Sequence, residues 1–253
     1  MDLKVFDKAV VPARLGIFDP SISFLHSQVA LKQHTLDKQD SLYQDFLRFQ
    51  TDFDNLPLDE YMKEGDTYRR RRFNEVLLRD EGEWISLTLK PLRGFYQATT
   101  VNGYSGGVDR IYQPLELSTI SNPFLHQLIV DMYLLLPAER RGVSRVWDIG
   151  IHLYRITAQP DAPGHPVPEG PHRDGHEFTS ITLVNRHNVE GGESLFFDQT
   201  ATVRLRHTLK SPLETALFDD AKGLHDVTPI HCQDQASIGL RDICGFSLNP
   251  VKE

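Results

Sequence analysis

His172 and Asp174 stand two residues apart in the run Glu169-Gly170-Pro171-His172-Arg173-Asp174-Gly175-His176, and His225 follows 53 residues later in Leu224-His225-Asp226-Val227. Side chains on an extended segment alternate with a period of two, so a His-x-Asp pair turns an imidazole and a carboxylate to one face. A histidine on a neighbouring strand can complete three ligands. Two imidazoles and one carboxylate on one face of an iron ion leave three coordination positions open, as non-heme Fe(II) oxygen chemistry requires. By itself, His-x-Asp in a chain with 11 histidines reads more readily as a solvated turn. Three further features favour the metal. Four or five predicted strands separate His225 from the pair, and in a jelly roll that separation returns the chain to the adjacent strand. Val227, Thr228 and Pro229 put His225 at the start of a buried strand. Arg241, 16 residues further on, opens the last strand, where a guanidinium can grip a carboxylate with a two-pronged, charge-assisted hydrogen bond.

The elements that must hold these groups are legible in outline. Residues 1–60 mix apolar and charged residues in helix-like fashion, with Ser21 as a cap for a helix carrying Leu25 and Val29. A clearer helix starts at Asn122 as N-cap with Pro123 at its first position, carries the stripe Leu125, Leu128, Ile129, Met132, Leu135 and Leu136, and closes at Pro137. From about residue 145 the pattern changes to short strands: 146–156, 178–185, 194–197, 202–209, 215–218, 225–230 and 243–248. The proline-rich stretch 159–171 is a loop that leads into His172, and Gly191-Gly192 marks a turn. Helices first and many short strands later predict an α+β fold with a double-stranded β-helix, or jelly-roll, core at 145–250. That core packs against N-terminal (1–60) and mid-chain helices within a single domain spanning 1–253.

Bulk properties narrow the function. At 253 residues, 40% hydrophobic and 9% aromatic, the chain can bury a sizeable core. A net charge of −8 argues against a nucleic-acid groove or an anionic membrane surface. Two cysteines without CxxC spacing do not form a disulfide framework. The N-terminus lacks the long apolar stretch of a signal peptide, and no run of apolar residues is long enough to span a bilayer. The expectation is a cytoplasmic protein, with a homodimer left open.

Alternation along 146–156 groups His152, Tyr154 and Ile156 on one face and Ile151, Leu153 and Arg155 on the other. His152 and Tyr154 read equally as hydrogen-bond donors to a bound acid or as residues at the edge of the core. Arg155 reads as a clamp for a substrate carboxylate or as an ordinary surface arginine. Gln97, Arg110 and Glu169 are further substrate-binding candidates, Glu169 for an ammonium group. The basic run Arg69 to Arg72 is either a solvated face or the source of a carboxylate anchor. His176 is expected to be structural, and His165, His187 and His207 are expected in loops or at the surface.

The chain resembles the 2-oxoglutarate-dependent Fe(II) dioxygenases, and within them the bacterial isoleucine-dioxygenase-like group that hydroxylates free L-amino acids. The resemblance is carried by Pro168 to Phe178, Asn185-Arg186, Asn188-Val189, Gly191-Gly192-Glu193, Leu217-Phe218-Asp219-Asp220, His225 with Thr228-Pro229-Ile230, and Arg241-Asp242. Upstream it extends to Tyr68 to Arg72, Phe95-Tyr96-Gln97, Asn102, Gly106 to Arg110, and Trp147 to Ile156. Pro171 departs from the pattern, where an aliphatic residue is expected. The resemblance implies Fe(II) held by His172, Asp174 and His225, O2 as oxidant, and 2-oxoglutarate as co-substrate with its distal carboxylate on Arg241. It implies hydroxylation of a free L-amino acid at an unactivated side-chain carbon, since related halogenases replace the carboxylate ligand with a small residue, with sulfoxidation and desaturation open to the same iron centre. The same chemistry on a peptide, a carrier-bound amino acid or another small acid, or a non-catalytic cupin-like binding protein, are the alternatives.

Overall fold

Period-two alternation governs most of this chain. A computed structural model describes residues 1–8, 16–18, 29–63, 65–99 and 106–252. The described strands begin with β1 (Asp2–Asp7), β2 (Gly16–Phe18), β3 (Val29–Thr35), β4 (Arg69–Asp80), β5 (Trp84–Leu89), β6 (Val146–Ala158) and β7 (Phe178–His187). They continue with β8 (Val189–Gly191), β9 (Glu193–Phe197), β10 (Val203–Thr208), β11 (Glu214–Phe218), β12 (Leu224–Val227), β13 (Ile230–Cys232) and β14 (Gly239–Pro250). Nine of them form one antiparallel sheet in the order β1-β5-β4-β6-β14-β7-β11-β3-β2, and smaller sheets β10-β9-β12 and β13-β8 accompany it. The described α-helices are α1 (Ser41–Asp52), α2 (Leu117–Ile120), α3 (Pro123–Leu135) and α4 (Ala138–Arg141). The fold is the expected α+β arrangement with a jelly-roll core, and no described helix is long and apolar enough to cross a membrane.

Each predicted strand after residue 145 has a counterpart, with β7 and β14 longer than expected. The mid-chain helix starts as read: the Asn122 side chain accepts from the Phe124 N–H at 2.9 Å, and Pro123 takes the first position. The described parts of residues 1–60 differ from the helix-like reading at β1 and β3. Among the described residues of this stretch there is one long helix, α1, capped by Asp40, whereas β1 and β3 are strands. Backbone pairing decides this: β1 extends the sheet beside β5, and β3 pairs along β11 with Leu31 opposite Ala216. A six- or seven-residue segment of mixed polarity has no strong intrinsic period, and an available sheet edge imposes one. Val29 accordingly opens β3 instead of lying on a helix, while Ser21, Leu25 and Asn102 lie outside the described residues.

The sheet has an apolar and a polar side. On the apolar side, Trp147, Ile149, Ile151 and Leu153 of β6 join Phe46, Phe49, Phe124 and Leu128 of the helices in the main core. The rings of Phe46 and Phe49 lie 5.0 and 5.5 Å from that of Phe124, which locks α1 to α3. On the other side, residues of β4, β6, β7 and β14 line a cavity, alternate ones on β4 and β6. Gly191 and Gly192, both at positive φ, turn the chain from β8 into β9; a Cβ on Gly191 would meet the Pro229 carbonyl oxygen at 2.2 Å. That close passage brings β9 alongside β12, the strand that carries His225.

Phe124→Ala should cost about 3–5 kcal/mol of stability, because it empties the contact between both long helices and the sheet. Urea unfolding should show it as a lower midpoint with little change in slope.

Candidate metal centre

His172 and His225 come together through the backbone. The His172 N–H donates to the His225 carbonyl at 3.0 Å and the His225 N–H to the His172 carbonyl at 2.9 Å, a reciprocal antiparallel bridge. The two rings are 4.4 Å apart between centroids. Asp174 turns its carboxylate to the same side, with Oδ1 3.4 Å from His172 Nε2 and Oδ2 3.6 Å from His225 Nε2. The three candidate ligand atoms lie within 4.8 Å of one another. Nitrogen and oxygen ligands about 2.0–2.2 Å from a common ion would have separations of this order. His172 Nδ1 lies 2.9 Å from the Gly170 carbonyl, which can only accept, so Nδ1 carries a hydrogen and Nε2 is the metal-facing atom.

Electrostatics tie the three groups together. Burial opposes charge on His172, but the adjacent Asp174 carboxylate outweighs it and pushes the imidazole up to about 9. Burial likewise opposes the Asp174 anion, yet the two histidines hold that carboxylate well below its usual range. His225 is lowered by burial, with Asp174 acting against the shift. A metal ion entering this set would replace the proton that Asp174 otherwise stabilises on His172 Nε2.

Asp220 sets the loop that carries Asp174. Its fully buried carboxylate accepts three successive backbone N–H groups, from Asp174 at 3.0 Å, Gly175 at 2.8 Å and His176 at 2.9 Å. The same group sits 3.7 Å from His225 Nδ1. Gln97 supports the loop from the opposite direction: its Nε2 donates to the Asp174 carbonyl at 2.9 Å, and its Oε1 accepts from Arg110 Nη2 at 2.6 Å. Gln97 and Arg110 also line the cavity, as do Glu169, His152 and Tyr154. Glu169 Oε1 lies 3.9 Å from His172 Nε2.

Arg241 also lines this cavity and is 2% exposed. Its Nε and Nη2 have no hydrogen-bond partner among the described residues. Burial, reinforced by the nearby Arg186 guanidinium, pulls Arg241 down to about 9. A buried cation next to another cation favours an incoming anion. His152 is held neutral by burial and by Arg71, whose Nη2 donates to His152 Nδ1 at 2.9 Å. The Tyr154 hydroxyl, 3.3 Å from the same nitrogen, is pushed up to about 12 by burial and so remains a donor.

Arg155 is a correction. It lies on the opposite face of β6, where its register partner on β14 is Asp242. Arg155 Nε and Nη2 grip the two oxygens of Asp242 at 2.6 and 2.8 Å, and Nη1 reaches Asp54 at 2.7 Å. It clamps the sheet and does not reach the cavity. His176, expected to be structural, does accept from Asn249 Nδ2 at 3.0 Å, but it also lines the cavity. Sequence reasoning assigned no role to Asp220 or Asp59. It left Arg69 and Arg71 within a run, although odd-even alternation would have separated them from Arg70 and Arg72.

A family model for 2OG-Fe dioxygenases matches residues 50–247. The chain belongs to this family. The dioxygenase is 26% identical over 193 residues to a 3(1)-hydroxy-L-isoleucine 4-dioxygenase of Pantoea ananatis, covering 76% of this chain and 75% of the relative. It is 27% identical over 194 residues to an L-isoleucine-4-hydroxylase of Bacillus thuringiensis, covering 74% and 78%. Among solved structures, a bsmA homolog from Methylobium petroleophilum PM1 superposes with a TM-score of 0.73 at 29% identity, over 82% of each chain. Dioxygenases of this family use Fe(II), 2-oxoglutarate and O2. The donor set of two imidazoles and a carboxylate fits the iron, and the unpartnered guanidinium of Arg241 fits the co-substrate anion.

Two outcomes follow from this geometry. His172 is raised in the metal-free fold above its unfolded value of about 6.5. Its own stabilising contribution is therefore complete below about 6.5 and lost as pH rises through 9. Metal competes with that proton, so the rise in Tm on anaerobic addition of Fe(II) should grow between about pH 6.5 and 9. Asp220→Asn places an NH2 group among three N–H donors and should weaken metal affinity by about 10–100-fold. Competition with a chelator measures it, with far-ultraviolet circular dichroism confirming an intact fold.

Proposed function

We propose that this dioxygenase hydroxylates a free L-amino acid at an unactivated side-chain carbon, while 2-oxoglutarate is converted to succinate and CO2. The observation that carries the reading is an unpaired, buried Arg241 in the same cavity as the His172-Asp174-His225 set. The isoleucine and hydroxyisoleucine dioxygenases among its relatives support a free amino acid as the substrate. In this reading His172, Asp174 and His225 hold Fe(II), leaving three positions for co-substrate and O2. When bound, Fe(II) would let O2 be consumed with 2-oxoglutarate as reductant, one oxygen atom ending in succinate and the other in the substrate hydroxyl group.

The protein's own part is placement and protection. Arg241 orients the distal carboxylate of 2-oxoglutarate through a charge-assisted fork. Tyr154 supplies a hydroxyl that stays protonated throughout the physiological range. Ile181, Val227 and Ile243 give the slot apolar walls and keep water from the reacting groups. Thr179 Oγ1, 3.4 Å from Asp174 Oδ2, and Gln97 on the Asp174 backbone keep the carboxylate aimed. We further propose that residues 1–253 act as one dioxygenase unit in the cytoplasm, where Fe(II) is available and where the buried thiols Cys232 and Cys244 stay reduced.

The test is succinate release across the twenty free L-amino acids, with enzyme loaded anaerobically with Fe(II) and 2-oxoglutarate before O2 is admitted. One or a few amino acids should stimulate succinate and gain the mass of one oxygen atom, and Asp174→Ala should abolish both. Arg241→Met should raise KM for 2-oxoglutarate about 10–150-fold, the range for losing hydrogen bonds to a charged group. Slow succinate release, equal with every amino acid, would exclude a free amino acid as substrate.

A further inference from the structure

The cavity contains a second excess cation. Strand β4 runs beside β6 with Arg69 opposite Ile156, Arg71 opposite Tyr154 and Phe73 opposite His152. Alternation therefore turns Arg69 and Arg71 into the cavity, and it turns Arg70 and Arg72 out to the Leu56 carbonyl, the Pro114 carbonyl and Glu116. Arg69 and Arg71 are both buried, at 7% and 4% exposure. They share one carboxylate, that of Asp59, whose side chain is also fully buried. The sharing is unequal. Asp59 Oδ2 accepts from Arg69 Nε at 2.8 Å but lies 3.9 Å from Arg71 Nη1, and Asp59 Oδ1 accepts from the Tyr61 N–H at 3.0 Å. Arg71 Nε is buried with no hydrogen-bond partner among the described residues.

The Arg71 guanidinium is held in place by aromatic rings. It sits 3.6 Å from the centroid of Tyr112 and 4.6 Å from that of Tyr154, and its Nη2 is tied to His152 Nδ1 at 2.9 Å. A cation stacked between rings and bonded to a neutral histidine is pre-organised, yet two buried guanidinium groups against one carboxylate leave a net positive charge. Glu169 lies in the same cavity, 3.9 Å from His172 Nε2, and its charge also acts on Arg69. A cation and an anion thus face one space beside the metal ligands. Arg241 is different: the charged neighbour that acts on it is another guanidinium, Arg186, which suits a ligand that is anionic without an ammonium.

We propose that Arg71, backed by Asp59 and Arg69, anchors the α-carboxylate of the substrate, and that Glu169 receives its α-ammonium. Arg241 then serves the co-substrate alone. Two carboxylates enter the cavity, one for each excess guanidinium, on strands β4 and β14 with β6 between them. That spacing is roughly 10 Å across two inter-strand steps. The subsite selects unmodified α-amino acids. An ester, thioester or amide lacks the anion that Arg71 needs, and an N-acylated amino acid lacks the cation that Glu169 needs.

This assignment rests on the amino-acid hydroxylase reading above, and one experiment separates the two. For the amino acid that best stimulates succinate release, kcat/KM is compared with that of its amino alcohol, in which CH2OH replaces the carboxylate, and of its N-acetyl derivative. The unaltered enzyme should prefer the amino acid to the amino alcohol by about 10–150-fold. In Arg71→Met that preference should collapse through loss of activity on the amino acid, with a rise in its KM far exceeding the change in KM for 2-oxoglutarate. Arg71→Lys keeps the charge without the fork and should retain part of the preference, so the assignment does not hang on one variant's folding. Glu169→Gln should erode discrimination against the N-acetyl derivative. An unchanged preference for the amino acid in both Arg71 variants would overturn the assignment and leave the hydroxylase reading intact. Failure of every amino acid to stimulate the unaltered enzyme would overturn the hydroxylase reading, and this subsite with it.

Discussion

The site depends on two backbone hydrogen bonds. The reciprocal bridge between His172 and His225 fixes residues 53 apart in the sequence at a single cross-strand pair. Once those two backbones are paired, period-two geometry leaves little freedom for Asp174, because it is two residues from one member of the bridge. Around the bridge, unrelated segments are recruited as supports. Asp220 gathers three N–H groups of the loop, Gly170 fixes the ring nitrogen of His172, and Gln97 reaches from the segment between β5 and α2 to hold the Asp174 carbonyl. The histidines need not be individually rigid when the backbone that carries them is paired.

The cavity next to them follows a second constraint, the cost of burying charge. Native interiors seldom keep a guanidinium without an anion, since the desolvation penalty is several kcal/mol per ion. Here two such groups face one cavity: Arg241 beside Arg186, and Arg71 at the far side of a carboxylate that Arg69 already occupies. The opposite face of the same strands shows the ordinary solution. Arg155 is fully engaged by Asp242 and Asp54, so it holds β6 to β14 and offers nothing to a ligand. The contrast separates a cation that stabilises the fold from one that the fold stabilises for a ligand.

How much of this was legible in the sequence follows from the range of each interaction. The His-x-Asp pair, the later His225 and Arg241 stand out because their spacing is local or because they begin strands. Asn122 and Pro123 announced their helix because capping is decided within three residues. Alternation correctly put His152 and Tyr154 on one face and Arg155 on the other, but could not say which face was the cavity, so Arg155 stayed between a substrate clamp and a surface residue. The N-terminal strands were hidden for a related reason: β1 and β3 are strands because β5 and β11 offer edges to pair with, not because of their own composition. Asp220 was visible only as the second of two adjacent aspartates after a buried strand, with nothing local to separate its role from that of Asp219, which pairs with Arg140 and Lys222.

The run Arg69 to Arg72 shows what periodicity adds once a strand is recognised. As composition, four consecutive arginines describe a solvated patch. As a strand, the same four residues are two populations with opposite fates: Arg70 and Arg72 tie loops to the outside, and Arg69 and Arg71 enter the cavity with a single aspartate between them. If both inward arginines were structural, a second carboxylate in place of a neutral partner would relieve the imbalance; instead Arg71 is given His152, which burial keeps uncharged. A neutral partner fixes the position of a guanidinium without cancelling its charge. That combination, geometry supplied and charge left over, is what a binding group for a free carboxylate requires.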